Sequence, residues 1–310
     1  MDLLRIATRG SGLARAQSGQ VARSLERALG VATELVIVRT TGDRIQDRPL
    51  SEVGGKGLFV KEIEEALLRG DADVAVHSGK DLPAQLAPGL ALAAFPPRED
   101  ARDALVGRRR GQTLAGLPEG ARVGTGSVRR RAQLLRARPG LEVVALRGNV
   151  DTRLRKLEEE GLDAVILASA GLARLGLADR IDERLDPNVL VPAVAQGTLA
   201  LEVRGAGGWG ERIAAVDDPA SRAATAAERA FLVALAGDCN VPLAAHARVA
   251  GDTLELTATL LATDGSRELR AQRSGPTSRA AELGRDAAAE VLEDGGRELL
   301  AELGVEVPGS

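Results

Sequence analysis

A lysine and an aspartate stand side by side at Lys80-Asp81, where the apolar run 73–76 gives way to His77, Ser78 and Gly79 before Pro83 closes it off. Apolar residues passing into a polar, glycine-containing turn read as a buried strand delivering its C-terminal end to a crevice. That is where α/β sheets bind ligands. A carboxylate held beside a cation there can stabilise developing positive charge or move a proton. A solvated ion pair on a strand-to-helix turn would look the same, so the weight rests on what accompanies it.

Arginines accompany it. Arg9, Arg129, Arg130, Arg147, Arg153 and Arg174 stand in or beside predicted turns, with Ser11, Gln17, Lys56 and Ser127 near them. Guanidinium groups recognise carboxylate or phosphate with two parallel hydrogen bonds. Lysine occurs only at Lys56, Lys61, Lys80 and Lys156, so nearly all of the 41 basic residues are arginine and any one of them reads as solvated charge. Their joint placement at strand ends is the informative part: it implies a polyanionic ligand of small-molecule size. Arg129, Arg130 and Arg131 open a predicted helix, against its dipole, which makes sense if an anion sits there.

Cys239 is the only cysteine, so no intramolecular disulfide can form, which fits a reducing cytosol. It lies in a tight turn, residues 237–242, rather than on an apolar stripe. Three readings stand: a small packed residue, a nucleophile, or a thiol carrying a covalently attached group. His77 and His246 are the only histidines and, with one cysteine, make no metal-ligand spacing; no metal is expected.

Composition sets the frame for these residues. The 310 residues suggest two or three domains, and 44% hydrophobic with 27% charged residues is a soluble globular mixture. A net charge of −3 and the near absence of aromatics argue against a nucleic-acid partner. The N-terminus has no apolar secretion segment, and no run reaches the roughly 18 apolar residues of a membrane helix. Cytoplasmic location and no membrane partner are expected.

The elements that must position the chemistry follow in order. Residues 3–7 read as a strand, and the turn 8–12 opens a helix over 13–29, its N-terminus suited to an anion. A strand over 34–40, a long loop 41–57 rich in glycine, and a helix ending at Gly70 lead to the Lys80-Asp81 strand. Strand-helix-strand alternation implies parallel pairing. After a proline-rich linker near 95–100, the stretch 122–127 repeats the strand-turn-helix design, followed by strands over 142–147 and 163–168. The run 198–203 reads as a return strand, and two similar α/β units crossed more than once suggest a two-lobed clamp. Asp218 caps a helix to Ala236. Strands over 244–250, 253–262 and 268–274 and a helix over 277–303 make a smaller α+β domain.

In these residues the chain resembles the hydroxymethylbilane synthase, or porphobilinogen deaminase, family over nearly its whole length. The resemblance is carried by residues 4–11 with Gln17, 54–62, 77–83, 124–131, 147–154, 170–175, 192–197 and 237–242, in the family's order. It implies two lobes of the type-2 periplasmic-binding-protein kind and a C-terminal α+β domain. Lobe 1 would comprise residues 1–98 and 196–216, lobe 2 residues 99–195, and the third domain residues 217–310. It also implies a dipyrromethane cofactor joined to Cys239 through a thioether. Four porphobilinogen molecules would be added to that primer with release of ammonia, and hydrolysis would then free a linear tetrapyrrole.

Asp81 would stabilise the cationic species, with Lys80 positioning it. Ser11, Lys56, Ser127, Arg129, Arg130, Arg147 and Gln196 would serve the cofactor, and Arg9, Gln17, Arg153 and Arg174 the substrate. A monomer is expected. A periplasmic carboxylate-binding protein would share the clamp but has no use for Cys239. A ligand-sensing regulator would bring a helix-turn-helix, which the sequence does not show.

Overall fold

The computed structural model describes residues 2–41, 60–205, 208–237 and 241–305. Lys56 and Cys239, with the glycine-rich run 54–57, lie outside the described residues. The elements begin with β1 (Leu3–Arg9), α1 (Gly12–Leu29), β2 (Ala32–Val38), α2 (Lys61–Arg69), β3 (Val74–Ser78) and β4 (Leu90–Ala94). Next come β5 (Asp103–Gly107), β6 (Arg122–Thr125), α3 (Val128–Ala137), β7 (Glu142–Ala145), α4 (Val150–Glu159), β8 (Ala164–Ala168), α5 (Ser169–Arg174) and β9 (Glu183–Arg184). Last are β10 (Leu199–Arg204), α6 (Trp209–Ile213), α7 (Pro219–Ala234), β11 (Leu243–Ala250), β12 (Thr253–Leu261), β13 (Glu268–Pro276), α8 (Ala280–Val291) and α9 (Arg297–Glu302).

The chain divides into two compact units, Met1–Glu99 with Thr198–Arg222, and Asp100–Gly197 with Ala223–Ser310. In the first, the sheet order is β2-β1-β3-β10-β4. β1 runs parallel to β2 and β3, whereas β10 runs antiparallel to β3 and β4. Leu4 and Ile6 on β1, Val74 and Val76 on β3 and Leu201 on β10 are buried with Val21 and Leu25 of α1. Ser11 caps α1 by accepting from the Ala14 N–H at 3.3 Å, and Gly30 ends it at φ 64, a left-handed position that suits glycine.

The second unit repeats the order as β7-β6-β8-β5-β9, with β6 parallel to β7 and β8 and β5 antiparallel to β8 and β9. The strands expected to pair in parallel do so, and each sheet also takes one antiparallel strand in the fourth place, the return strand β10 in the first unit and β5 in the second. β5 and β10 are short apolar runs, and nothing in their composition encodes direction. The same unit holds the antiparallel meander β11-β12-β13. Phe231 of α7, Leu235 just past its end, and Leu283 and Ala287 of α8 pack on it, and Val194 and Ala195 join the same core. A Cβ at Gly284 would lie 2.1 Å from the Ala227 carbonyl, so glycine is what lets α8 approach α7. The final helix is broken: Leu292–Gly296 forms a wide turn, with Gly295 at φ 102, before α9 resumes.

Candidate active site

In the first unit β1 and β3 are parallel neighbours, so the turns after Arg9 and after Ser78 emerge on one carboxyl edge. Arg9 ends β1 half-buried, and Ser11 starts α1. Lys80 and Asp81 are exposed in a single 3-10 turn, Gly79–Asp81. That turn is held by the Gly79 N–H donating to the Thr198 carbonyl at 2.9 Å, and buried Leu82 anchors its far side. The pair therefore faces outward from a fixed base. Gln17, by contrast, is buried along α1.

His77 is also not in the turn. β3 runs two residues further than the apolar run suggested, and His77 lies inside the sheet with Nε2 3.0 Å from Oε2 of Glu202 on β10. Both side chains are buried. Burial pushes the carboxyl of Glu64 on α2 above the ordinary range, against the Ala87 N–H that lowers it. A carboxylate inside the apolar run 199–203 was the signal for this pair, because a buried charge needs a partner.

In the second unit β6, β7 and β8 are parallel, and their carboxyl ends carry Ser127, Arg147 and Ser169. Ser127 caps α3, accepting from the Arg130 N–H at 3.4 Å. Gly126 is exposed, and a Cβ there would lie 2.5 Å from the Leu146 carbonyl, so the backbone at this helix start stays bare. Arg147 and Arg153 are half-buried at the same edge, with Arg153 Nε donating to the Gly148 carbonyl at 2.8 Å. Arg174, at the end of α5, donates from Nη2 to the Gly197 carbonyl at 2.7 Å.

Arg129 and Arg130 differ from expectation. Each is only 4% exposed, and the anion that faces them is the protein's own Asp103, which is fully buried on β5. Arg129 Nη1 donates to Asp103 Oδ2 at 2.8 Å and to the Val191 carbonyl at 2.6 Å. Arg130 gives Nε and Nη2 to Asp103 Oδ1 at 2.9 and 2.8 Å, and Nη1 to the Ile166 carbonyl at 3.0 Å. Gln196 completes the cluster, Nε2 donating to Asp103 Oδ1 at 2.9 Å and to the Ala101 carbonyl at 2.6 Å. Burial alone would raise Asp103, but the charges of Arg129 and Arg130, with hydrogen bonds from Arg129 and Gln196, hold it far below the carboxylate range. Burial in turn lowers Arg130. Within this cluster the buried Arg129 Nε has no hydrogen-bond partner among the described residues.

These groups fit a carboxylate-bearing organic molecule. A bare helix start, a cap hydroxyl, half-buried guanidiniums and a buried donor such as Arg129 Nε suit acetate and propionate groups. Cys239 lies outside the described residues, and of those that flank it Val241 is buried, while a Cβ on Gly237 would lie 2.1 Å from Leu243 Cδ2.

Fold and edges together define an α/β protein of two like-ordered sheets, with an added antiparallel meander and helices, whose strand ends present groups suited to a small organic anion. The chain belongs to the porphobilinogen deaminase family. A family model described as "Porphobilinogen deaminase, dipyromethane cofactor binding domain" matches residues 4–207, and one described as "Porphobilinogen deaminase, C-terminal domain" matches residues 223–293. The chain is 50% identical over 302 residues to porphobilinogen deaminase of Geobacter metallireducens, covering 97% of this chain and 94% of that one. It is 52% identical to that of Roseiflexus castenholzii, covering 96% and 98%. Among solved structures it is similar to the periplasmic VFT2 domain of Bordetella pertussis BvgS (TM-score 0.41, 17% identity, 69% of this chain and 86% of that one).

Proposed function

We infer that this chain is a hydroxymethylbilane synthase, a transferase that joins four porphobilinogen molecules head to tail with loss of ammonia. The observation that carries this, within the family, is the exposed Lys80-Asp81 pair on a fixed turn beside the start of α1. A dipyrromethane joined to Cys239 supplies the primer that is extended.

The chain's own residues do the rest. Asp81 offers a carboxylate to the positive charge that develops as ammonia leaves the substrate. Lys80 balances and orients it. Ser11, Lys56, Ser127, Arg129 and Arg147 hold carboxylates of the cofactor, and Arg9, Arg153 and Arg174 those of substrate. Buried Gln196 belongs with the cofactor-binding groups and buried Gln17 with the substrate-binding ones. Arg130 does so chiefly through Asp103. The functional division we propose is residues 1–98 with 196–216, 99–195, and 217–310, in keeping with the three sheets.

No helix among the described residues is long and apolar enough to cross a membrane. With a single cysteine, this supports a cytoplasmic enzyme, which we propose works as a monomer. The test is intact mass of the purified protein beside ammonia release from porphobilinogen. The protein is expected to exceed its sequence mass by one dipyrromethane, and Cys239→Ser to be unmodified and inactive. A fully active preparation of unmodified mass would sink the reading.

A further inference from the structure

The buried cluster on β5 holds two guanidiniums and one carboxylate, and so carries one net positive charge in the interior of the second unit. A charge left over in a buried site needs a counter-ion. The start of α3 supplies none, since its dipole favours anions too. The two arginines are also not equivalent. Arg130 spends Nε and both terminal nitrogens on Asp103, Gln196 and the Ile166 carbonyl. Arg129 uses Nη1 on Asp103 and on the Val191 carbonyl, while its buried Nε stays without a partner among the described residues. Residue 191 is itself fixed, because Gln133 accepts from its N–H at 2.7 Å and donates to its carbonyl at 3.0 Å. A guanidinium is planar, so anchoring Nη1 on two fixed acceptors sets the direction of the opposite edge.

We propose that Asp103 is a positioning residue: clamped by Gln196 and neutralised by Arg130, it aims the free edge of Arg129 at a carboxylate of the bound pyrrole chain. This rests on reading Arg129 as a carboxylate ligand. On this account the neighbouring arginines divide the work. Arg129 presents a donor edge to the ligand, and Arg130 keeps Asp103 charged and still. Gln196 then acts through Asp103, with both amide hydrogens used on Asp103 and the Ala101 carbonyl.

The experiment compares Asp103→Asn, Gln196→Leu and Arg129→Leu with the parent. Three readouts are taken: the fraction of purified chains with primer mass, KM and kcat per primer-bearing chain for ammonia release from porphobilinogen, and the urea unfolding midpoint. Asp103→Asn keeps the shape of the side chain but not its charge. It is expected to raise KM about tenfold, with kcat per loaded chain within about threefold, because a binding group is misaimed rather than removed from the reacting atoms. A lower fraction of chains should carry primer. Gln196→Leu leaves both ion pairs in place and should show the same pattern in smaller measure.

If Arg129→Leu matches the parent in KM and primer fraction, Arg129 binds no ligand carboxylate, and the reading beneath the proposal fails. If Arg129→Leu is impaired while the other two variants lose only their unfolding midpoint, Asp103 is a structural ion partner and the proposal is overturned. Should Asp103→Asn not fold, Gln196→Leu decides alone: a parental KM overturns the proposal and a raised KM supports it.

Discussion

Asp81 is exposed, sits on a turn whose base is fixed by the Gly79–Thr198 hydrogen bond, and has a cation next to it in sequence. If its carboxylate only oriented backbone, asparagine would replace it, since the amide keeps one acceptor oxygen and the same size. A partner for positive charge cannot be replaced so. Asp81→Asn is therefore expected to purify folded and with primer mass, yet to release ammonia about 10²–10³ times more slowly. Asp81→Glu should keep part of the rate, its charge retained but displaced by a methylene. A near-parental rate for the asparagine variant would reduce the turn to a structural feature. Asp81 was legible in the sequence because Pro83 and Gly79 mark the turn that exposes it. The arginines were legible by type but not by role. Whether Arg129 faces a ligand or Asp103 depends on which strand lies beside β8, and β5 sits 26 residues away in sequence from the arginine its first residue pairs with.

Between strand and helix, the segment before β10 carries the clearest strain. Ala195 has φ 55, a left-handed conformation costing a non-glycine residue roughly 1–2 kcal/mol. Its N–H donates to Oε2 of Glu228 on α7 at 2.6 Å, and Oε1 of the same buried side chain accepts from the Ala247 N–H on β11 at 2.7 Å. Glu228 thus ties three elements of the second unit together and holds Gln196 where it reaches Asp103. Glu228→Ala would leave buried N–H groups unsatisfied, each costing about 1–3 kcal/mol, and should lower the urea midpoint clearly. Ala195→Gly keeps the N–H and relieves the left-handed backbone, so its midpoint should be level with or above the parent's. A large loss in the glycine variant would mean that packing of the Ala195 methyl, not the Glu228 contact, holds the segment. Most elements could be read from periodicity and caps, as with Asp218 and Pro219 at the start of α7. β4 and β5 could not, because they are short apolar runs flanking a double proline. Nor could the break at Gly295, where the apolar repeat continues through a backbone turn.

Across the whole molecule, both units contain carboxylates whose folded form is held charged, and this fixes how stability answers to acid. In the first unit burial would raise Asp73, but hydrogen bonds from the Arg5 side chain and N–H, with the charges of Arg5 and Arg204, bring it below the ordinary range. Asp103 does the same in the second unit, more strongly. For groups lowered in this way, the stabilisation is full above the unfolded value near pH 3.9 and is lost as pH falls through the folded value. Glu64 runs oppositely: raised by burial, it costs stability while charged, and that cost is relieved as pH falls through its folded value. Mild acid should therefore leave the fold intact, and the loss should begin below about pH 4. Trp209, the single tryptophan, packs in the first unit with Arg212 4.3 Å over its ring, so its fluorescence follows that unit. In urea unfolding followed by Trp209 emission, Asp73→Asn should lower the midpoint at pH 7 and shrink the drop between pH 7 and pH 3. In far-ultraviolet circular dichroism, which reports both units, Asp103→Asn should do likewise, with a loss at pH 7 on the order of 3–5 kcal/mol if the whole ion cluster is broken. The pH 7 to pH 3 difference is the decisive quantity. If it is the same in both variants as in the parent, these carboxylates do not set the acid limit, and the charged groups that do must be sought elsewhere.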